Sequence, residues 1–419
     1  MKFIKGSVAL AALCATPALA VEKSEVLDTY ADIAHAGYED SLTTAQTLQT
    51  AVAALLESPS DETLSAAREA WLAARVPYQQ TEAFRFGNAI VDDWEGKVNA
   101  WPLDEGLIDY VDATYGGPTD ENQLAALNVV ANPTFTLSGE EVDATEITPE
   151  LIGETLHEAD GVEANVASGY HAVEFLLWGQ DLNGHEAGAG DRPATDFATG
   201  DDCTNGNCDR RGDYLKAATD LLVSDLEWMT AQWAEGGDAR TTLLDDEDAG
   251  ITAMLTGMGS LSYGEQAGER MRLGLMLNDP EEEHDCFSDN THNSHYYDGK
   301  GVQNVYTGSY TRVDGSEVTG PSLSDMVAEM DADLDAELTA KLDTTMDKLG
   351  DIVDAAEGGF AYDQMLERGS DKGEALIMGG VDALVDQTRS IERVVALMQA
   401  DDVNIEGSDS LDNPEAVFQ

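Results

Sequence analysis

The chain has 419 residues, of which 42% are hydrophobic and 7% aromatic, an ordinary globular composition that argues against a disordered protein. Asp and Glu number 82 against 22 Lys and Arg, which gives a formal net charge of −60. Such a surface repels nucleic acid phosphates and anionic lipid headgroups, because binding either requires clustered Lys and Arg, so a nucleic-acid role is excluded. The acidity is typical of proteins kept soluble in saline surroundings, and it also attracts cations; the charge count does not separate these two effects.

The first twenty residues have the pattern of an export signal. Two lysines precede an apolar stretch that ends in Ala18-Leu19-Ala20, the small-x-small sequence found before a cleavage site. We therefore expect a signal peptide at 1–20 and an exported, soluble mature protein, located in the periplasm or on the outer surface. No later apolar run approaches the ~18 residues needed to span a bilayer.

Helical periodicity dominates the remaining sequence and β-type alternation is scarce, which predicts an all-α fold. Capping residues and acidic first turns mark several helix starts, such as the one at Ser60-Asp61-Glu62. In chain order the predicted helices are 24–57, 61–87, 121–131, 149–180, 211–235, 241–277, 322–356 and 372–400.

A stretch without periodicity, 183–212, is rich in Gly, Asp and Asn and is expected to connect two lobes. Four predicted helices lie on each side of it, which suggests a duplicated, four-helix-bundle-like architecture with lobes at 21–182 and 213–419. Cys203 and Cys208 bracket a Thr-Asn-Gly-Asn turn within the stretch, and we expect a disulfide that staples this loop. Cys286 is then left without a partner.

The strongest local signal for chemistry is a pair of ionisable residues in an apolar helix. Over 166–178 only His171 and Glu174 can ionise, so a buried helix would carry both inside, one turn apart on the same face. This is the spacing by which helices present two ligands to a metal. A buried carboxylate costs several kcal/mol unless it is paired or coordinated, so a metal site and a self-satisfied His–Glu hydrogen bond both remain open.

The motif Gly169-x-His171-x-x-Glu174, with the helix continuing into Phe-Leu-Leu-Trp-Gly, resembles that of the imelysin-like family, which includes iron-regulated protein A and the insulin-cleaving metalloprotease. Segments 75–85 and 99–106 are similar to further family segments, and Cys286 to His292 resembles the iron-regulated branch. The resemblance extends from about residue 25 to about residue 400.

This resemblance implies an exported, two-lobed helical-bundle protein associated with iron uptake, with a metal or substrate site near the motif. The expected ligand is iron, as an ion or a chelate, with zinc or another divalent metal as the alternative. A membrane component of iron uptake is an expected partner.

The family also includes peptidases, but the helical zinc-peptidase motifs HExxH and HxxEH do not occur in this chain. Phe175 follows Glu174, so the second histidine of such a motif is missing. The sequence therefore favours metal binding over catalysis. A metallopeptidase in which Glu174 is the general base is the alternative, and an adhesin or scaffold is a third hypothesis.

Further metal ligands are expected from carboxylates elsewhere in the first lobe. The candidates are Glu82, near Arg85, and Asp104 or Glu105, just after the helix break at Trp101-Pro102. Such a set of histidine and carboxylate ligands suits iron, zinc or manganese. The alternatives are an ion pair with Arg85 for Glu82 and a solvated loop for Asp104 and Glu105.

A second cluster of candidate ligands follows in the other lobe. His284, His292 and His295 fall within twelve residues, beside several acids, and end at Tyr296-Tyr297. They could form a second cation site or a gate over the cleft between the lobes. The alternative is an irregular capping loop whose side chains hydrogen-bond to the backbone.

Overall fold

The computed structural model describes residues 21–120 and 122–418, so the predicted signal peptide at 1–20 lies outside the described residues. The all-α fold is confirmed. The helices are α1 (Lys23–Glu57), α2 (Asp61–Gln79), α3 (Ala89–Asn99), α4 (Glu105–Ile108), α5 (Gly169–Trp178), α6 (Cys208–Trp233), α7 (Asp238–Leu244), α8 (Glu247–Ser260), α9 (Leu273–Leu277), α10 (Thr291–Thr307), α11 (Leu323–Met330), α12 (Ala332–Glu357), α13 (Tyr362–Leu366), α14 (Asp371–Met398) and α15 (Asp409–Asp412).

Two short antiparallel hairpins complete the regular structure of the described residues. The first pairs β1 (Thr134–Leu137) with β2 (Glu140–Asp143), and the second pairs β3 (Ser309–Thr311) with β4 (Glu317–Thr319). Both are too short to form a sheet that could support a core by itself.

The first bundle is built around α1, which packs along both α2 and α6. The short helix α5 contacts α2, α3 and α6, so it lies inside this bundle rather than at its surface. All ten residues of α5 are buried, as expected for a helix that is apolar on every side.

The second bundle contains α8, α10, α12 and α14. The helix α8 passes without interruption into a π-helical segment, Leu261–Arg272, and then into α9. The helix α14 packs against α12 and this π-helical segment, and α10 packs against α12 and also against α2 of the first bundle. The contact between α10 and α2 joins the two bundles.

The proposed lobe boundaries and the internal duplication stay predictions. The structure does show that α6 begins at Cys208 and packs against α1 and α5, within the first bundle. The largest hydrophobic core is continuous from Val26 on α1 to Val394 on α14, so the two bundles share buried surface.

Several predicted helices differ from the structure. The helix predicted at 61–87 ends at Gln79, and the one at 322–356 is interrupted at Asp331, which caps the following helix through its side chain. The helix predicted at 149–180 is broken: Glu158 and Asp160 adopt left-handed backbone conformations with φ of 52° and 59°. Such angles are incompatible with a continuing α-helix.

The helix predicted at 121–131 is wrong, because residues 122–131 form turns. Asn122 accepts a hydrogen bond from the backbone of Leu124, and Asn128 has a φ of 50°. Asparagine favours both local side-chain bonding and the left-handed conformation, which explains the turns.

Five helices were not predicted: the longer α3 and α10, and the short α4, α13 and α15. The sequence of α10 is polar and contains Gly299 and Gly301, which lower helix propensity. A Cβ at Gly301 would lie 2.6 Å from the carbonyl oxygen of Gln80, so this glycine allows α10 to approach α2 closely. The irregular loop expected from 284 to 297 is therefore wrong for residues 291–297, which are helical.

The loop staple is confirmed: Cys203 and Cys208 form a disulfide with their Cα atoms 5.9 Å apart. Cys286 is a free, half-buried thiol. Within 21–120 and 122–418, no helix combines the length and the apolar character required to cross a bilayer.

Candidate metal centre

The centre begins with His171 and Glu174 on α5, which are 1% and 0% exposed. The Nδ1 atom of His171 lies 3.0 Å from a carboxyl oxygen of Glu174. The other oxygen of Glu174 accepts hydrogen bonds from the backbone N–H and the hydroxyl of Ser288, at 2.9 and 2.7 Å. Glu174 therefore fixes the orientation of the imidazole ring of His171, and Ser288, from the second half of the chain, fixes Glu174.

The remaining ring nitrogen of His171, Nε2, is buried without a hydrogen-bond partner. A buried polar atom without a partner costs about 1–3 kcal/mol, so its persistence requires an explanation. A histidine whose Nδ1 is fixed by a carboxylate and whose Nε2 is free has the arrangement typical of a metal ligand.

Two residues from the second half of the chain, His284 and Asp285, lie close to the imidazole ring of His171. The imidazole rings of His284 and His171 meet edge to face with their centroids 4.9 Å apart. One ligand atom from each of His171, His284 and Asp285 lies within 4.8 Å of the other two. Two imidazoles and one carboxylate are a ligand set used for both iron and zinc.

The Asp285 carboxylate is fixed by Arg75, a 1% exposed arginine of α2. Its Nη2 donates to one oxygen at 2.8 Å, while Asn290 and Ser294 donate to the other. Arg75 also donates to Asn99 at 2.6 Å. The arginine thus compensates the buried negative charge of Asp285 and fixes its orientation.

Burial and charge keep both histidines neutral. Burial, reinforced by the positive charge of Arg75, lowers the pKa of His171 to about 3. Burial, together with Arg270, lowers the pKa of His284 well below its ordinary value. Although burial opposes it, Arg75 lowers the pKa of Asp285. Neutral imidazoles and an ionised carboxylate are the forms that bind a metal, so these residues fit a divalent ion.

Burial has the opposite effect on Glu174, whose pKa is raised well above the usual value. Its hydrogen bonds to Ser288 act against this shift. Glu174 and His171 together therefore carry little net charge in the metal-free protein, which is how the apolar helix α5 accommodates both.

The other carboxylates predicted as ligands lie outside this centre. Glu82 is paired with Arg270 at 2.7 Å, and Arg270 also binds Asp298 at 3.0 Å. The expected partner Arg85 instead contacts Asp92, at 3.0 Å. Glu82 therefore belongs to a buried ion-pair network between the two bundles.

Asp104 and Glu105 lie at the N-terminus of α4. Asp104 accepts hydrogen bonds from Tyr115 at 3.2 Å and from Asn122. Glu105 is 4% exposed and accepts a hydrogen bond from Gln180 at 3.4 Å. The solvated loop considered as the alternative is therefore wrong for Glu105, which is buried and bonded within the protein.

The three histidines of the second predicted cluster do not share a site. His284 faces His171, whereas the ring of His295 packs against Tyr362 with centroids 5.4 Å apart. His292 lies beside Asn293 at 3.1 Å. Within the described part of the chain, no group of metal-binding dimensions unites these three residues.

A cavity of about 640 Å³ approaches the centre from the side of α4. Its walls include Trp101, Glu105 and Cys286. The Trp101 ring lies 5.9 Å from that of His284, so this indole stands between the cavity and the centre. A larger cavity of about 900 Å³ lies between α8 and the C-terminal segment and has no histidine in its walls.

The fold and the centre define an all-helical protein of two packed bundles with a buried group of two histidines and one carboxylate. The family model of imelysin, named as peptidase M75, matches residues 34–391, and the chain belongs to the imelysin family. The match covers both bundles and every residue of the centre.

Solved structures support the same fold. An iron-regulated protein A precursor from Parabacteroides distasonis superposes with a TM-score of 0.66 at 19% identity, over 91% of this chain and 97% of that one. An imelysin-like protein from Psychrobacter arcticum gives 0.57 at 16% identity, over 91% and 98%. Iron-regulated protein A of Synechococcus elongatus is 39% identical over 61 residues, which span 14% of this chain and 17% of that protein.

Proposed function

We propose that this imelysin-family protein binds a divalent transition metal, iron in the first place, through His171, His284 and Asp285. Two observations carry the proposal: one ligand atom of each of these three buried residues lies within 4.8 Å of the other two, and the Nε2 atom of His171 is buried without a hydrogen-bond partner. A bound ion would supply that nitrogen with a partner and would stabilise the neighbouring carboxylate charge.

Iron acquisition outside the cytoplasm is the role that we assign to this site. Two features support it: the export pattern of residues 1–20 and the names of the relatives, two of which are iron-regulated proteins. The bound form would be the ion or a small chelate that enters past Trp101, and a membrane component of iron uptake would be the receiving partner.

The contacts of Glu174 disfavour the alternative of a metallopeptidase. A general base needs a carboxylate oxygen that can reach a metal-bound water. One oxygen of Glu174 accepts hydrogen bonds from Ser288 and the other lies 3.0 Å from Nδ1 of His171, so both oxygens are already engaged within the protein. Glu174 acts on the proposed metal through His171, as a positioning residue.

Elemental analysis tests the proposal. The full chain, exported and purified without chelators, is compared with the His171→Ala and His284→Ala variants. We expect close to one metal ion per chain in the wild type and at least tenfold less in each variant. His35→Ala is the matched control, since His35 lies half-exposed on α1 beside Glu39 and contacts none of the proposed ligands.

A Glu174→Gln variant separates positioning from direct ligation. Loss of a carboxylate behind a histidine ligand typically weakens metal binding 10- to 100-fold without abolishing it. Wild-type protein that remains metal-free after anaerobic loading with Fe²⁺, Mn²⁺ or Zn²⁺ would overturn the proposal, provided that circular dichroism shows it to be folded.

A further inference from the structure

A second group of ligand atoms lies next to the histidine centre and contains only carboxylates. One oxygen from each of Asp181, Asp289 and Asp363 lies within 4.8 Å of the other two. The three residues come from separate elements: Asp181 follows α5, Asp289 precedes α10, and Asp363 lies on α13. The fold, rather than a local acidic run, brings them together.

The oxygens in this group lack the donors that buried carboxylates normally have. Asp363 is 2% exposed and its Oδ2 has no hydrogen-bond partner, and Oδ1 of Asp289 is equally without one. Backbone and amide N–H groups donate to two of the three carboxylates, and Asp289 and Asp363 also interact with each other. Asn183 donates to Asp181 at 2.8 and 2.7 Å, and Gly188 donates to Asp289 at 3.0 Å.

A fourth carboxylate, Glu283, points at the same place. Glu283 is 1% exposed, and neither of its oxygens has a hydrogen-bond partner. The carboxylates of Asp363 and Asp289 both act on Glu283, and that of Asp363 acts most strongly. A fully buried carboxyl group without a recorded hydrogen-bond donor, beside two further carboxylates, is an independent indication of a missing positive charge.

Other carboxylates dominate the electrostatic surroundings of this group. In the described part of the chain, no Lys or Arg is among the largest influences on the charge of Glu283, Asp289 or Asp363. Burial raises the pKa of Asp181 to about 6 and that of Asp363 to about 8. A divalent ion would supply the positive charge that the group lacks.

From this arrangement we infer a second cation site, formed by Asp181, Asp289 and Asp363 with Glu283 beside them, and suited to a hard divalent ion of the calcium type. Calcium takes six to eight oxygen ligands at about 2.3–2.6 Å, and ligands at that distance from one ion lie no more than about 5 Å apart. The group offers oxygens alone and no imidazole, which disfavours softer transition metals.

Occupation of the site would affect the histidine centre through a shared segment. Glu283 directly precedes His284, and Asp289 directly follows Ser288, which holds Glu174. A cation bound here would tie Glu283 and Asp289, the two ends of segment 283–289, to Asp363 on α13 and to Asp181 after α5. The site therefore has a structural role that supports the neighbouring centre.

Calcium titration of the full chain tests the inference, with isothermal titration calorimetry in chelator-treated buffer. We expect one saturable Ca²⁺ site per chain in the wild type and at least a tenfold rise in dissociation constant for Asp289→Asn. A double variant, Asp401→Asn with Asp402→Asn, is the control, because it removes two acids from the wall of the separate cavity of about 900 Å³ beside α8. His171→Ala should bind Ca²⁺ as tightly as the wild type, which separates this site from the proposed metal centre.

Thermal unfolding provides a second measurement that does not depend on Asp289→Asn folding. Ca²⁺ should raise the melting temperature of the wild type but not that of Glu283→Gln. In calcium-free buffer Glu283→Gln should melt at or above the wild-type temperature, because a glutamine amide can donate to Asp363 where two carboxylates repel. Three outcomes would each overturn the inference. They are a wild type without saturable Ca²⁺ binding, an Asp401→Asn, Asp402→Asn control that loses as much Ca²⁺ affinity as Asp289→Asn, and a Glu283→Gln variant that melts below the wild type in calcium-free buffer.

Discussion

The two ring nitrogens of His171 have opposite surroundings, and this difference carries most of the functional argument. Nδ1 faces Glu174 at 3.0 Å, whereas Nε2 is buried without a partner. The two hypotheses left open by the sequence, a metal site and a self-satisfied pair, are therefore compatible. The pair satisfies one nitrogen and leaves the other for a ligand.

Sequence reasoning placed His171 and Glu174 in one site and assigned His284 to a separate second site, and it did not name Arg75 or Asp285 as residues of the centre. His171 and Glu174 share α5, so spacing alone places them on one face. Arg75 and Asp285 are 210 positions apart, and their pairing depends on how α2 packs against the segment before α10. No periodicity or local motif encodes such a contact, although both residues fall within or beside the segments that resemble the family.

A buried carboxylate away from the centre predicts a pH dependence of stability. Glu95 on α3 is 6% exposed, and burial raises its pKa to about 7, although Arg85 lies 3.4 Å away and opposes the shift. The folded protein therefore binds this proton more tightly than the unfolded chain, whose ordinary glutamate pKa is near 4.3. The stabilising effect of the proton is present below pH ~4.3 and is lost as the pH rises through ~7.

Glu95→Gln mimics the protonated side chain, whose stabilising effect the wild type loses at high pH. The difference in unfolding free energy between the variant and the wild type should therefore shift in favour of the variant by roughly 2 kcal/mol from pH 5 to pH 8. Urea unfolding of both proteins at the two pH values measures this difference. Asp93→Asn, an exposed position on the same helix, should show no such dependence. Equal effects of Glu95→Gln at pH 5 and pH 8 would contradict the prediction.

At the scale of elements, the glycine before the histidine determines how closely α5 can approach α3. Gly169 has a φ of 81°, and a Cβ there would lie 2.4 Å from the carbonyl oxygen of Val98 at the end of α3. Both the conformation and the contact require glycine. The first position of the motif thus places α5, and with it His171, against the neighbouring helix.

Gly169→Ala should therefore destabilise the protein by about 3 kcal/mol or more and lower its metal content, because α5 must move away from α3. Gly184→Ala is the matched control, since Gly184 has a φ of 60° but a Cβ added there would meet no atom within 4 Å. Gly184→Ala should lower the free energy of unfolding only by the strain of the left-handed backbone conformation, about 1–2 kcal/mol. Chemical unfolding and elemental analysis of both variants measure the effects, and equal losses would show that the contact with Val98 is unimportant.

Helices whose own sequence carries an amphipathic pattern were predicted more accurately than helices that depend on packing against other elements. The amphipathic helices α1, α6 and α14 were predicted to within three residues at each end, because their own sequence repeats carry the signal. The polar, glycine-containing α10 was missed because it is stabilised by packing against α2 and α12. Asn290 and Ser294, at the start of α10, donate hydrogen bonds to Asp285. The helix and the position of Asp285 were therefore missed for the same reason, because both depend on packing between distant segments.

At the scale of the whole molecule, the two bundles are joined by buried ion pairs as well as by apolar packing. Arg270, in the π-helical segment, contacts Glu82 of the first bundle and Asp298 of α10. Arg85 and Arg270 both approach Glu265, at 3.7 and 2.9 Å. Both arginines therefore lie where the two bundles join.

The charge of −60 makes a prediction about the stability of the whole fold. Most of the 82 carboxylates are not paired with the 22 Lys and Arg, so the compact state is destabilised by repulsion between like charges. Salt shortens the range of that repulsion from about 30 Å at 0.01 M to about 10 Å at 0.1 M. We expect the melting temperature at pH 7.5 to rise by roughly 5 °C between 0.01 and 0.5 M NaCl, since screening favours the folded state.

Differential scanning calorimetry in EDTA measures this rise without a contribution from divalent cations at the carboxylate site. The control is the same salt series at pH 5, closer to the isoelectric point of about 4.1, where fewer carboxylates are ionised. The rise should be clearly smaller there, because the repulsion that salt screens is weaker. An equal rise at both pH values would mean that NaCl stabilises the protein through apolar burial, and that its acidic surface carries no electrostatic cost.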